Sequence, residues 1–269
     1  MEIFMKNNTH KQSYTKIFII FLFVAISQIY AMNQNQGYEE INDVVRKAEI
    51  TSSSKIIGPW SETIAGKIAI VLPSALMALN IFTSAAQNFD SASLLLGGVI
   101  GFLLADATTG FSHWAGDKYT DSDKPIENQA LHTRLLAELL PAAYGHHQNP
   151  QRITEMSYWE KSKGWYLLLP ATLVVATLVG GWTGYTLAVY AVTGAQSEFL
   201  HSLAHTQHDN NFFVKALQKS GLILNSARHK IHHYGDEFNE PYTTNFCLIQ
   251  GTIIDPFINK IAKWLKWLQ

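Results

Sequence analysis

Cysteine is almost absent from this chain: Cys247 is the only one in 269 residues. A single thiol excludes an internal disulfide framework and any four-cysteine iron–sulfur or zinc site. Charge is scarce too. Asp, Glu, Lys and Arg make up 15% of the chain, against roughly 25% in an ordinary soluble domain. The formal net charge of −1 leaves no basic footprint for nucleic acid. No Gly-x-Gly-x-x-Gly follows a strand, and neither Cys-x-x-Cys-His nor His-Glu-x-x-His occurs. Nucleotide, c-type haem and zinc-hydrolase fingerprints are therefore missing. There are no internal repeats and no low-complexity segments.

Apolar residues reach 47% and are gathered in runs. Four are long: about 63–86, 92–114, 165–181 and 183–203. Each approaches the roughly 20 residues that a spanning helix needs, and their internal Gly, Pro and Thr are tolerated in membrane helices. The last two, joined across Gly181–Gly184, read as a helical hairpin. The predicted fold is all-α: an integral membrane bundle of about four transmembrane helices with a histidine-rich cap on the cytosolic face. Residues 17–31 (IFIIFLFVAISQIYA) are short for a span, and residues 1–31 read as a signal-like or anchor segment. Residues 32–61 read as a polar linker and 62–258 as the membrane domain. The run 246–258 is too brief to cross and reads as re-entrant or interfacial. The tail 259–269, with KIAKWLKWLQ, has the pattern of an interface-lying amphipathic helix. Trp60, Trp114, Trp165 and Trp182, at the span ends, read as interface belts.

Lys and Arg crowd the connection between the second and third runs and the C-terminal region, whereas the links 87–91 and 181–184 carry none. The positive-inside rule puts both basic regions on the cytoplasmic face, which four spans satisfy. Residues 17–31 oppose this count: as a span or a cleaved signal they would start residue 32 outside.

Histidine is the abundant exception. Ten of the eleven lie beyond residue 112. They form His113, the pair His146-His147, His201-x3-His205 and His229-x2-His232-His233. The spacings i, i+3 and i+4 put His201 with His205 on one helix face, and His229 with His232 and His233 on another if that stretch is helical. Each group also falls at the basic end of a span, so ligands from separate helices can converge. Eight imidazoles are too many for one tetrahedral zinc. They suit two metals with open positions, and imidazole fits iron, zinc or copper. Asp106, His113 and Asp117 share one face at i, i+7 and i+11. Asp106 and Asp117 are the candidate catalytic carboxylates, as direct ligands or as partners that fix imidazole tautomers. Asp106 sits inside an apolar run, where an ionisable group is costly and usually functional. Glu198 lies near a helix end with an open role. His10, His132 and His208 read as surface or loop residues, and Cys247 as packing.

The stretches DATTGFSHWAGD (106–117), GHHQNPQRIT (145–154), HSLAH (201–205), LQKSGLILNSARHKIHH (217–233) and TTNFCLIQGTIIDP (243–256) resemble the plasmanylethanolamine desaturase (Kua) family of lipid desaturases. That family takes in plastid enzymes that desaturate an acyl chain of phosphatidylglycerol, and bacterial plasmalogen-forming homologues. The resemblance covers roughly residues 63–258. It implies two iron ions held by His113, His146, His147, His201, His205, His229, His232 and His233, with dioxygen as co-substrate. Three positions depart from the family pattern: Asn149 precedes Pro150 where HHxDP is frequent, Arg228 stands where some members have histidine, and Asn225 replaces a proline.

The function expected from this resemblance is desaturation of a membrane phospholipid, forming the vinyl ether of a plasmalogen from an alkyl ether. A phospholipid-linked acyl desaturase or a lipid hydroxylase is the alternative, and a signalling or scaffold protein with a vestigial metal site is the non-enzyme one. Electrons would come from a b-type cytochrome or a ferredoxin, because the chain has no redox fingerprint of its own. No nucleic acid is expected as a partner, and oligomeric state is left open. The expected membrane is the endoplasmic reticulum in a eukaryote, the inner membrane in a bacterium, or an organellar envelope.

Overall fold

The computed structural model describes residues 63–120, 130–140, 142, 149–206, 212–234 and 254–267. All regular structure among them is α-helical. The expected leader 1–31, the whole linker 32–61 with Trp60, and His146, His147, His208 and Cys247 lie outside the described residues, as does the side chain of His132.

Helix α1 (Ile64–Asn88) starts where Thr63 Oγ1 accepts the Gly66 N–H at 3.0 Å. Helix α2 (Ser91–Thr120) starts at Asp90, whose Oδ1 accepts the N–H groups of Ala92 and Ser93, each at 2.9 Å. These bonds and the Ser93 hydroxyl hold the Asp90 carboxyl below its usual pKa. Two-residue spacing between the helices is thus set by cap chemistry rather than by hydropathy.

Helix α5 (Tyr158–Val179) begins seven residues before the third apolar run. Ser157 and Glu160 form a reciprocal capping box: the Ser157 N–H donates to Glu160 Oε2 at 2.9 Å, and the Glu160 N–H to Ser157 Oγ at 3.3 Å. The helix therefore carries Glu160, Lys161 and Lys163 in its first turns. It ends at Gly180 and Gly181, both left-handed with φ of 64° and 55°. That conformation is cheap only for glycine. The hairpin turn is thus these two residues rather than Gly181–Gly184.

Helices α1, α2 (through Gly116) and α5 are long and apolar enough to cross a membrane. The fourth apolar run is broken. Helix α6 (Gly181–Gly194) stops, and α7 (Ser197–His205) restarts after Ala195-Gln196. Gln196 is drawn sideways: Tyr158 donates to its Oε1 at 2.5 Å and its Nε2 donates to Tyr166 at 3.3 Å. The remaining elements are short: α3 (Leu131–Leu139), α4 (Arg152–Glu155), α8 (Phe212–Lys219), α9 (Ser226–Tyr234) and α10 (Ile254–Trp267). The last begins before residue 259, so the sequence boundary drawn there falls inside a helix.

The described residues belong to two compact units. The first takes in α1, α2 as far as Gly101, and residues 169–189. There Trp182 Nε1 donates to the Ser93 carbonyl at 2.8 Å, and Tyr185 to that of Leu94 at 3.1 Å. Large side chains of α1 face outward (Ile64, Ile68, Leu72, Leu76, Leu79), while the buried positions are small apart from Ile70: Gly66, Ser74, Ala78, Ala85 and Ala86. Small residues inside and large ones outside is the packing of a helix whose solvent is lipid.

The second unit, residues 102–168 and 190–269, holds the histidines. Here α7 packs against α9 and α4. Helix α5 passes so close to the end of α3 that a Cβ on Gly164 would overlap the Leu139 carbonyl. Trp114 is buried on Ile258 of α10, beside Phe111, and so is core rather than an interface belt.

Candidate metal centre

Three helices deliver the histidines. His113 comes from α2, His201 and His205 from α7, and His229, His232 and His233 from α9. The i, i+3 and i+4 spacings do what was expected of them, because α7 and α9 are helical through these residues. Asn225 starts α9: its Oδ1 accepts the Arg228 N–H at 2.8 Å and its carbonyl the His229 N–H at 3.1 Å. Asparagine is a strong N-cap residue, so this departure from the family pattern supports the helix that carries three of the rings.

The Nε2 atoms converge. That of His229 stands 2.9 Å from His201, 2.7 Å from His205 and 3.1 Å from His233. Those of His201 and His205 are 3.4 Å apart. A second group is His232 and His113, with Nε2 atoms 3.2 Å apart. The groups adjoin: the ring centroids of His113 and His201 are separated by 4.4 Å, and those of His229 and His232 by 5.4 Å. His113, His201, His229 and His232 are buried, while His205 and His233 are half-buried.

Such a cluster suits a cation. A neutral imidazole has one N–H and one lone pair. Four Nε2 atoms gathered round His229 cannot all find a proton between them, but one metal ion accepts all four lone pairs. Two nitrogens about 2.1 Å from a shared ion stand about 3.0–3.4 Å apart at octahedral or tetrahedral angles, and the observed spacings centre on that range. Burial, followed by His205, His232, His113 and His233, pushes the His229 pKa well below 6.5. Its ring is held neutral, the state that binds metal. His201, His205 and His229 place their ligand atoms within 4.8 Å of one another. All the converging atoms are imidazole nitrogen, a donor set that iron accepts.

The structure adds a residue whose role the sequence left open. Buried Glu198, one turn before His201, accepts from its Nδ1 at 3.3 Å. With the proton on Nδ1, the Nε2 lone pair faces the cluster. The i−3 spacing was the available signal. Lys161 is also buried and within electrostatic reach of Glu198. Asp106 is fully buried on α2, two turns before His113 on the same face. Asp117 lies on the same helix, its side chain outside the described residues. Sequence reasoning missed Asp255 altogether. It is buried, and its Oδ2 accepts from Arg228 Nη2 at 3.3 Å.

Residues 102–267 match the family model described as the lipid desaturase domain. The chain belongs to that lipid desaturase family. It is 28% identical over 182 residues to "Fatty acid desaturase 4, chloroplastic" of Arabidopsis thaliana, covering 64% of this chain and 52% of that one. It is 29% identical over 185 residues to "Plasmanylethanolamine desaturase 1" of Mus musculus, covering 64% and 63%. With "Plasmanylethanolamine desaturase" of Myxococcus xanthus the identity is 29% over 171 residues, covering 61% and 56%. The chain spans about half the length of the plastid relative. No solved structure matches it. Family membership and three helices able to span make it a membrane protein.

Proposed function

We propose that this lipid desaturase family member is an oxidoreductase that holds two irons and uses dioxygen and an external electron donor to desaturate a phospholipid. The observation that supports this reading best is the division of six converging imidazoles into a four-nitrogen group round His229 and the His113–His232 pair. His146 and His147 complete the proposed set of eight ligands. A reduced pair of irons, when bound, supplies the oxidising power that an unactivated C–H bond requires.

The protein's own contribution is positional. Glu198 sets the tautomer of His201. Burial of four of the rings excludes water from the reacting centre. Asp106 and Asp117 are the proposed catalytic carboxylates, aligned with His113 along α2. The histidines sit at helix ends, so the reacting carbons lie near the headgroup. That height favours the alkyl ether of a plasmalogen precursor, and the vinyl ether is the proposed product. The plastid relative supports a second reading, desaturation of a phospholipid-linked acyl chain near its carboxyl end. The proposed donor is a b-type cytochrome or a ferredoxin docking on the basic face.

The deciding experiment is lipid mass analysis of cells with and without this gene. Acid-labile vinyl ethers that disappear with the gene support the first reading, and lost acyl double bonds the second. A product heavier by one oxygen, rather than lighter by two hydrogens, refutes desaturation in favour of hydroxylation.

A further inference from the structure

The first turns of α10 touch both helices that carry the His113–His232 pair. Asp255, 4% exposed, accepts from Arg228 on α9. Arg228 is one turn from His232, at i and i+4, on the same face. Ile258, 2% exposed, packs on Trp114 of α2, the residue after His113, with Ile254 and Ala115 around it. On α10, Asp255 and Ile258 are three apart and share one face. One face of one helix is therefore tied to α2 and α9 at once, beside the point where the Nε2 atoms of His113 and His232 stand 3.2 Å apart. The four-nitrogen group has other supports, because α7 packs directly on α9 and Glu198 orients His201.

We propose that α10 is a clamp that sets the separation of His113 from His232, with Asp255 and Ile258 as positioning residues for that half of the centre. The inference deepens the reading of a two-metal desaturase and rests on it for the iron measurement. A buried carboxylate paired with a partly exposed arginine is poor value as stabilisation alone. Its worth here is registry, because the pair fixes α9 relative to the helix that also grips α2. Loss of the clamp releases α2 from α9 while leaving α7 docked on α9.

The test uses the full chain in lipid nanodiscs, with Asp255→Ala, Arg228→Ala, Ile258→Ala and the charge swap Arg228→Asp/Asp255→Arg. Iron content and the spectroscopic coupling between the irons are measured first. Each single variant is expected to lose about half the iron of the parent and its coupling signature, and the swap is expected to recover both. A second readout needs no metal. Spin labels on Phe111→Cys of α2 and Ile231→Cys of α9, in a Cys247→Ser background, report the α2–α9 distance, which should broaden in the single variants and narrow again in the swap. An unchanged distance distribution in Asp255→Ala and Ile258→Ala overturns the clamp, whatever the iron content. Loss of all iron together with the helical signal also overturns it, by making α10 a general support. If the parent itself binds no iron, the two-metal reading fails, and the distance measurement still decides the clamp.

Discussion

Replacing Glu198 tests the centre at the point where the reasoning is most specific. Its carboxylate accepts from His201 Nδ1 at 3.3 Å and is buried. Removing it as Glu198→Ala frees the imidazole to rotate and to place its proton on Nε2, where it blocks the lone pair. Outer-shell partners of this kind are worth about 10–100-fold in metal affinity, or about 1.4–2.7 kcal/mol. A second cost accompanies it. Buried Lys161 loses one of the two anions within its electrostatic reach, Glu198, and keeps the other, Glu160. Glu198→Gln alone separates the two effects, because the amide oxygen still accepts from Nδ1 while the anion near Lys161 is gone. The assay is competition between purified protein and a chelator for ferrous or cobaltous ion. Glu198→Ala should lose one to two orders of magnitude in affinity, and Glu198→Gln should retain most of it. Parental affinity in Glu198→Ala would refute the orienting role. Equal loss in both would assign the effect to stability.

Further outcomes follow from other contacts. His205→Ala or His233→Ala should abolish desaturation while the protein still accumulates in the membrane, as immunoblotting of membranes against product formation would show; normal turnover in either removes that residue from the ligand set. Asn225→Ala should cost about 1 kcal/mol through the lost cap of α9, read as a lower unfolding midpoint, whereas Asn225→Asp should be nearly neutral. Gly164→Ala should destabilise by about 1–3 kcal/mol, since the added methyl meets the Leu139 backbone. The depressed pKa of His229 gives a sign for pH. Below the ordinary 6.5 the unfolded chain takes up a proton that the folded one refuses, so metal-free protein should lose stability as pH falls through 6.5. Denaturant titrations at pH 7.5 and 5.5 check this, and greater stability at the lower pH would contradict it.

Much of the centre was legible in the residues because its grammar is local. Imidazoles three and four apart share a face whatever the tertiary fold, so His201, His205, His229, His232 and His233 needed only helical backbone to align. Apolar run length located α1, α2 and most of α5 for the same reason. The errors lie where side chains act over long separations. Hydropathy alone does not report that Gln196 is pulled toward Tyr158, 38 residues away, so the fourth run read as one helix. Trp114 looked like a belt residue because nothing local shows Ile258 lying on it. The early start of α5 was readable in Ser157-x-x-Glu160, but the charged residues after it hid a helix that hydropathy would not extend.

The helices bearing five of the rings, α7 and α9, are nine residues each. Segments shorter than about 12–15 residues barely hold helical form alone. On the proposed reading, the grip of the rings on their ions is part of what keeps these segments wound. Starvation for iron would then show first as fewer copies of the protein, cleared by quality control, and the copies that persist would be the loaded ones.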